Sequence, residues 1–364
     1  MTVKRPDSPK RRVTSTDVAA LANVSQSAVS RVFAHHPSVS DKMRRAVLEA
    51  ARTLGYRPNA IARSLITQRS RIIGVAMAYL DNQFYPEVLQ SLSRALQAYG
   101  YQILLFTADE TGAADPMLEQ VLSYQVDALL LASVSLSSHI AEECELAGIP
   151  VIMFNRTSST PGAASVTGDN FAGGRQVAEF LVAGGHQRFA YIAGAAESST
   201  NRDREAGFCA GLAALGMAQP MRVPGQYDWQ SAQAGTRLLL GRPTRPDAIF
   251  AASDLMAIAC LEVARTEFGL SVPHDLSIVG FDDVGVARWP SYQLTSFAQP
   301  VEAMVSAAVT LILERLESLA APPRPIVIPG RLIVRQTTRH PAQGLVVEDG
   351  ERVWRTPSET TEGP

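Results

Sequence analysis

Residues 13–33 read VTSTDVAALANVSQSAVSRVF, and the amino-terminal architecture follows from this stretch. Thr14 precedes a short helical pattern and Asp17 follows three positions later. The pair predicts a capped start, Thr14 taking up open backbone N–H groups while Asp17 lies at the positive end of the helix. Val18 and Leu21 point one way, and Asn23-Val24 breaks the pattern. Ser25 then caps a second helix, QSAVSRVF, with Val29, Val32 and Phe33 on its apolar side. A third pattern begins at Ser40 and runs to Leu54. It stops at Gly55, a residue suited to the left-handed turn that closes helices. Two short helices around a tight turn, braced by a third, read as a helix-turn-helix.

The charge distribution agrees with a nucleic-acid role. Residues 1–70 hold 13 Lys and Arg against four acids, a balance of +9, while the remainder holds 20 against 31, or −11. A basic head on an acidic body directs the head alone to a polyanion, because released counterions drive binding. In a helix-turn-helix the second helix enters the major groove by its N-terminus. Gln26 and Ser27 then face base edges, with Ser30 and Arg31 further along. Ser25, Ser30 and Arg44 suit phosphates, which position the protein without reading sequence. His35-His36 reads as a loop, since adjacent side chains diverge and no third ligand is near. After Gly55 comes YRPNAIARSL (56–65), a very short helix with Pro58 in its first turn and a small apolar face. Such a helix is marginal alone and forms against a second copy or DNA.

From Arg71 the texture changes. Apolar runs (IIGVAMA, YQILLFT, DALLLAS, VIMFN, FAYIAG, AIFAAS, SIVGFDD) alternate with amphipathic helical stretches, enough for two sheets. Continuous apolar strands between helices imply parallel sheets covered on both faces, an α/β fold. SFAQP, a helix over 301–319 and strands near Ile326 and Ile333 are expected to cross back between the two. Ligands in such sheets bind outside the carboxyl ends of the strands. The polar residues there are Asp81, Asn82, Asn155, Arg156, Asp169, Ser253, Asp254, Asp282 and Asp283, with Phe84, Arg204 and Trp229 nearby. Carboxylates and an arginine grip hydroxyls or an anionic group, and tryptophan stacks on a sugar face. For three of these residues a plainer role stands beside the functional one: Asp254 and Asp283 as helix caps, Arg204 as a surface ion pair.

VTSTDVAALANVSQSAVSRVF, VSDKMRRAVLEAARTLGYRPNAIARSL, GDNFAGG, RDREAGF, VGFDD and LTSFAQP recur in this order over residues 13–338. Through them the chain resembles the lactose-repressor (LacI/GalR) family. The resemblance implies a helix-turn-helix headpiece on a two-lobed core of the type I periplasmic-binding-protein kind. It adds Thr14, Tyr56 and Asn59 to the DNA-binding set, and places Ala62 on the minor-groove floor and Leu65 as a wedge between base steps. It implies an effector site built from Phe84, Asp169, Arg204, Trp229, Ser253, Asp282 and Gln299, taking a small molecule, often a sugar. It also implies a homodimer on pseudo-palindromic double-stranded operator DNA, acting as a repressor. Two departures touch the effector site: NQFY (82–85) lacks the family's proline, and Ser253 replaces its usual asparagine.

The expected division is an arm (1–12), a headpiece (13–57), a hinge (58–70), a core (71–338) and a disordered tail (339–364), in which VVEDGERVW could add a marginal hairpin. Within the core, 71–171 with 300–327 form one lobe and 172–299 with 328–338 the other. Cys144, Cys209 and Cys260 are far apart and suit buried positions in a reducing cytoplasm, with no metal and no cofactor. No apolar run approaches the ~18 residues of a membrane span, and no phosphate loop, nucleophile elbow or zinc-spaced cluster occurs. The chain is thus expected to be cytoplasmic, nucleoid-associated when bound to operator, and not an enzyme. A solute-binding transport protein and a sugar enzyme remain as alternatives, the first opposed by the basic headpiece, the second by the lack of catalytic spacing.

Overall fold

The computed structural model describes residues 13–34, 36–57, 69–107, 120–132, 143–144, 146–157, 164–319 and 323–356. The arm, His35, the hinge stretch 58–68 with Asn59, Ala62 and Leu65, residues 108–119, and residues 357–364 lie outside them. The chain divides into two compact units, Met1–Ser70 and Arg71–Pro364.

In the first unit, α1 (Ser15–Ala22), α2 (Gln26–Phe33) and α3 (Asp41–Leu54) each start at a side-chain cap, Thr14, Ser25 and Ser40. Thr14 and Asp17 form a reciprocal capping box, and Asn23 and Gly55 close α1 and α3 in the left-handed conformation. Val18, Ala19, Val29, Val32, Val47, Ala50 and Ala51 make the small core. Leu21 does not join it: it is 53% exposed, because Ala19 and Ala22 complete the inward stripe with Val18 and turn Leu21 outward.

In the second unit, β1 (Ile72–Met77), α4 (Phe84–Ala98), β2 (Gln102–Thr107), β3 (Ala128–Ala132), β4 (Val151–Phe154) and β5 (Ala164–Gly168) come first. The chain then runs through α5 (Asn170–Ala183), β6 (Phe189–Ala193), α6 (Ser199–Ala214), β7 (Met221–Pro224) and α7 (Trp229–Leu240). Next come β8 (Ala248–Ala251), α8 (Asp254–Thr266), β9 (Ser277–Asp282) and β10 (Thr295–Ala298). The unit closes with α9 (Val301–Glu317), β11 (Pro325–Ile328), β12 (Arg331–Ile333), β13 (Leu345–Glu348) and β14 (Glu351–Trp354).

These strands form a six-stranded sheet, β11-β5-β4-β3-β1-β2, and an eight-stranded sheet, β13-β14-β12-β10-β9-β8-β6-β7. The six-stranded sheet is parallel throughout. Its strands are apolar on both faces: Ile73, Val75, Leu130 and Phe154 meet one helix layer, while Ala76, Leu129, Leu131 and Met153 face the other way. Successive side chains of a strand alternate between faces, so a strand covered twice reads as an unbroken apolar run. Each sheet makes one lobe. The chain passes between lobes three times, from β5 to α5, from β10 to α9, and from β11 to β12.

The tail expectation is corrected over 345–354. β13 and β14 pair antiparallel, and β14 joins β12 to extend the second sheet. Trp354 is 1% exposed and packs edge-on against Phe180 of α5, centroids 5.6 Å apart. One large aromatic side chain seated in the lobe core holds a polar segment that composition alone marks as unstructured. Among the described residues, no helix is long and apolar enough to cross a membrane.

Candidate functional site

The first site lies on the headpiece. Gln26, Ser27, Ser30 and Arg31 of α2 are exposed, while Ala28, Val29 and Val32 turn inward, so α2 presents a polar ridge on an apolar base. Ser25 accepts from Ala28 N at 3.2 Å and contacts Ser27 Oγ at 2.9 Å, fixing the first turn of the ridge. The Gln26 amide donates to Ser15 Oγ at 3.0 Å, and Arg31 Nε reaches Ser27 O at 3.4 Å. Arg44 is half-buried on α3, and the Tyr56 ring packs on Phe33, 5.8 Å between centroids. Thr14 is exposed but spends its hydroxyl in the α1 capping box.

The second site is a cleft between the lobes of the core. A small cavity is lined by Tyr79 and Asn82 from the loop after β1, Phe84 and Tyr85 from α4, Asn155 after β4, and Thr200, Arg204, Tyr227 and Asp282 from the second lobe. It is tight, with free room for little more than a water. Bridges close it: Thr157 N donates to Ser199 Oγ at 3.0 Å and Gly285 N to Glu87 Oε1 at 2.8 Å. Tyr79, Asn155, Tyr227 and Asp282 adopt positive φ values of 55°, 54°, 59° and 116°. Such backbone is costly for L-residues and gathers where a site demands it.

Arg204 and Asp282 form the cleft's charged centre. Two small-residue contacts bring α5 against α6 to place Arg204: an added Cβ on Gly174 would run into the Arg204 carbonyl, and one on Gly207 into the Phe171 carbonyl. Arg204 Nε donates to Asn170 Oδ1 at 2.8 Å, Nη1 to Ala252 O, and Nη2 lies 3.3 Å from Asp282 Oδ1. Its guanidinium stacks on Phe281, 3.7 Å from the ring centre. Gln299 donates to the same Asp282 oxygen at 2.7 Å. Burial pushes the Asp282 carboxyl up to about 6, against the opposing pull of Arg204, Gln299 and Asn82. Burial likewise raises the Tyr85 hydroxyl to about 12, which keeps it a donor.

Behind Asp282 a second layer fixes its turn. Asp254, fully buried, accepts from Ser296 Oγ at 2.6 Å and from Val284 N at 2.9 Å. Asp283 accepts from Arg335 at 2.6 Å and Arg288 at 2.8 Å. Burial and the neighbouring Asp282 charge push the Asp254 carboxyl well above its usual range. Among the described residues, no group of three His, Cys, Asp or Glu is placed to hold a metal ion.

Of the effector residues expected from sequence, Phe84, Arg204 and Asp282 line the cleft, and Gln299 touches it through Asp282. Three expected residues are not among those lining the cavity. Asp169 caps α5 through Ala172 N, and Ser253 caps α8 through Met256 N. Trp229 opens α7 and packs on the second-lobe core, leaving Tyr227, two residues earlier, in the cleft. The left-handed backbone at Gln226 and Tyr227 rotates this loop and puts the tyrosine where the tryptophan was expected. Asp254 and Asp283, weighed as caps, instead anchor the Asp282 turn, and Arg204 is a buried ion pair rather than a surface one. Sequence reading did not single out Tyr79, Tyr85, Thr200 or Tyr227: single tyrosines and threonines carry no spacing signal.

Comparison with known proteins agrees with this two-part build. Residues 14–59 match the model of bacterial regulatory proteins of the lacI family, and residues 178–338 match a periplasmic binding protein-like domain. The HTH-type transcriptional regulator CelR of Thermobifida fusca is 34% identical over 338 residues, covering 90% of this chain and 99% of CelR. The structure of the Lac repressor dimer bound to operator and the anti-inducer ONPF superposes with a TM-score of 0.80 at 28% identity, covering 90% of this chain and 99% of that one. The CelR–cellobiose complex gives 0.68 at 31% identity over 90% of this chain and all of that one. With a helix-turn-helix at one end, a two-lobed α/β core behind it and full-length relatives above 30% identity, the chain belongs to the lacI family of bacterial regulatory proteins, transcription regulators that bind DNA.

Proposed function

We propose that this regulator is a homodimeric, cytoplasmic repressor whose grip on a pseudo-palindromic operator is set by a small polyhydroxylated effector held between the core lobes. The observation that carries the reading is the pairing, in one chain, of an exposed polar α2 ridge on a basic unit with a polar interlobe cleft on an acidic one. Residues 13–57 are assigned to the major groove, 58–70 to the hinge and 71–338 to the effector. On the ridge, Gln26 and Ser27 read base edges, with Ser30 and Arg31 following and Ser25, Arg44, Thr14 and Tyr56 supporting. Asn59, Ala62 and Leu65 are assigned to the hinge contacts, Leu65 as the wedge.

In the cleft, Phe84, Arg204, Asp282 and Gln299 belong to the effector contacts; Asp169 and Ser253 support them as caps of the helices beside the site, and Trp229 as the residue that seats Tyr227. The complexes of related proteins with cellobiose and with ONPF support a small-molecule occupant. An effector acts only through unequal affinity for the DNA-competent and DNA-incompetent arrangements, and a coupling of about 1–3 kcal/mol shifts operator affinity roughly five- to 150-fold. No catalytic step is assigned to the cleft.

Selection of bound duplexes from a random DNA pool by purified full-length protein tests the reading. The expected product is a palindrome with a flexible pyrimidine–purine step at its centre. Gln26→Ala is expected to relax specificity at one position per half-site by about 1–3 kcal/mol. Enrichment of no sequence, with or without candidate ligands, sinks the proposal.

A further inference from the structure

We propose that the effector is a hydroxylated molecule bearing an oxyanion, a carboxylate or a phosphate, and that Arg156 is the residue that recognises its charge. The inference rests on the effector reading above and narrows it. β4 ends in Asn155, in left-handed backbone, and Arg156. These two residues are 3% and 7% exposed, yet Asn155 Oδ1 and Arg156 Nε have no hydrogen-bond partner. Buried polar groups in folded proteins are almost always paired, and two adjacent unpaired atoms at the end of a strand leave hydrogen-bonding capacity that a ligand can meet.

Arg204, the arginine that lines the cavity, is neutralised by Asp282, and buried Arg335 by Asp283 and Glu351, whereas Arg156 follows the lining residue Asn155 in the chain. Among the described residues, Arg156 has no carboxylate within ion-pairing distance. Asp282 is the one acid among the cleft-lining residues, and it already serves Arg204. Asn155 lines the cavity and Thr157 N bridges to Ser199 of the other lobe, so Arg156 stands between them at the junction. Its charge is also the largest electrostatic influence on the hydroxyl of Tyr85, a lining residue. A neutral sugar would answer Asn155, Tyr85, Thr200 and Tyr227 and leave a desolvated guanidinium uncompensated. An oxyanion answers both, and a guanidinium matches carboxylate and phosphate geometry with two parallel bonds.

Calorimetric titration of the full-length protein with paired probes tests this: D-gluconate against D-glucitol, D-glucuronate against D-glucose, and glucose 6-phosphate against D-glucose. At least one anionic probe is expected to bind roughly 10- to 100-fold more tightly than its neutral twin. Arg156→Gln should bring the two to parity, and Arg156→Lys, which keeps the charge, should retain part of the preference. The carboxylate and phosphate arms identify the oxyanion. Equal binding of the neutral twin, an undiminished preference in Arg156→Gln, or failure of every anionic probe to bind at millimolar concentration overturns the inference. Operator affinity measured on the same samples separates the two readings. A neutral sugar that binds and shifts operator affinity removes the charge inference and leaves the effector reading standing. An anionic probe that binds through Arg156 without shifting operator affinity does the reverse.

Discussion

On the second-lobe wall of the cleft, Arg204, Asp282, Gln299, Asn170 and the Ala252 carbonyl bind one another, and Asp254, Ser296, Asp283 and Arg335 hold the turn behind them. On the first-lobe wall, Asn155 and Arg156 are as deeply buried and leave polar atoms without partners. The difference separates two tasks. The second-lobe wall also leaves Arg204 Nη2 and Gln299 Oε1 without hydrogen bonds, but its charges are matched, and that matching sets the shape of the site before any ligand arrives. A wall with an unmatched charge gains most when the right ligand arrives, and so sets which ligand that is.

The largest expected effect breaks the satisfied wall. Arg204→Met leaves Asp282, Asn170 and the Ala252 carbonyl buried without their donor, and is expected to cost about 3–5 kcal/mol in urea unfolding of the core. A loss below about 1 kcal/mol would show that this wall is not held by the ion pair. Next, Asp254→Ala removes the acceptor for Ser296 Oγ and Val284 N and should cost about 2–3 kcal/mol. Asp254→Asn should cost far less, because burial already favours the uncharged carboxyl there.

A smaller effect comes from protons. Asp282 faces Arg204, Asn82 and Gln299, with Asp254 behind it, and its carboxyl is raised to about 6 by burial. Acidification through that value therefore removes the one negative charge of the cleft. A carboxylate ligand, which stays ionised throughout, should bind several-fold more tightly as pH falls from about 7 to about 5.5, and a neutral one should not. Calorimetry in stepped buffers reads this, and an affinity for the anion that stays flat or falls contradicts it. The smallest effect sharpens the contrast: Arg156→Met should leave core stability within about 1 kcal/mol of wild type or raise it, since it removes an unpaired buried charge. If it destabilises the core as Arg204→Met does, the two walls are alike.

The headpiece was legible almost residue by residue, because its signals are local. Thr14, Ser25, Ser40 and Gly55 cap or close their helices wherever those helices are placed. The order of strands and helices was legible for the same reason, each element announcing itself by its own period. The cleft was legible only in part. Asp282 and Asn155 stand out as polar residues at the ends of apolar strands, whereas Tyr85, Thr200 and Tyr227 sit in helices and loops with nothing to mark them. Asp169 and Ser253 cap helices, and a helix cap and a ligand group occupy the same strand-end position and use the same side chains, so sequence does not separate the two roles. The hairpin over 345–354 was legible only as a marginal one, because its polar composition says nothing of Trp354 finding Phe180.

The sequence by itself determined the helix-turn-helix, the α/β class, the charge divide between head and body and the membership that follows from ordered motifs, because each depends on neighbours along the chain. Only the tertiary structure decided which polar side chains are buried together and which of them are left unpaired. Pairing depends on distances between residues as far apart as Arg204 and Asp282, or Asp254 and Ser296. Those distances are set by how two sheets and three crossings fold back on each other, a property of the packed chain that no local pattern carries.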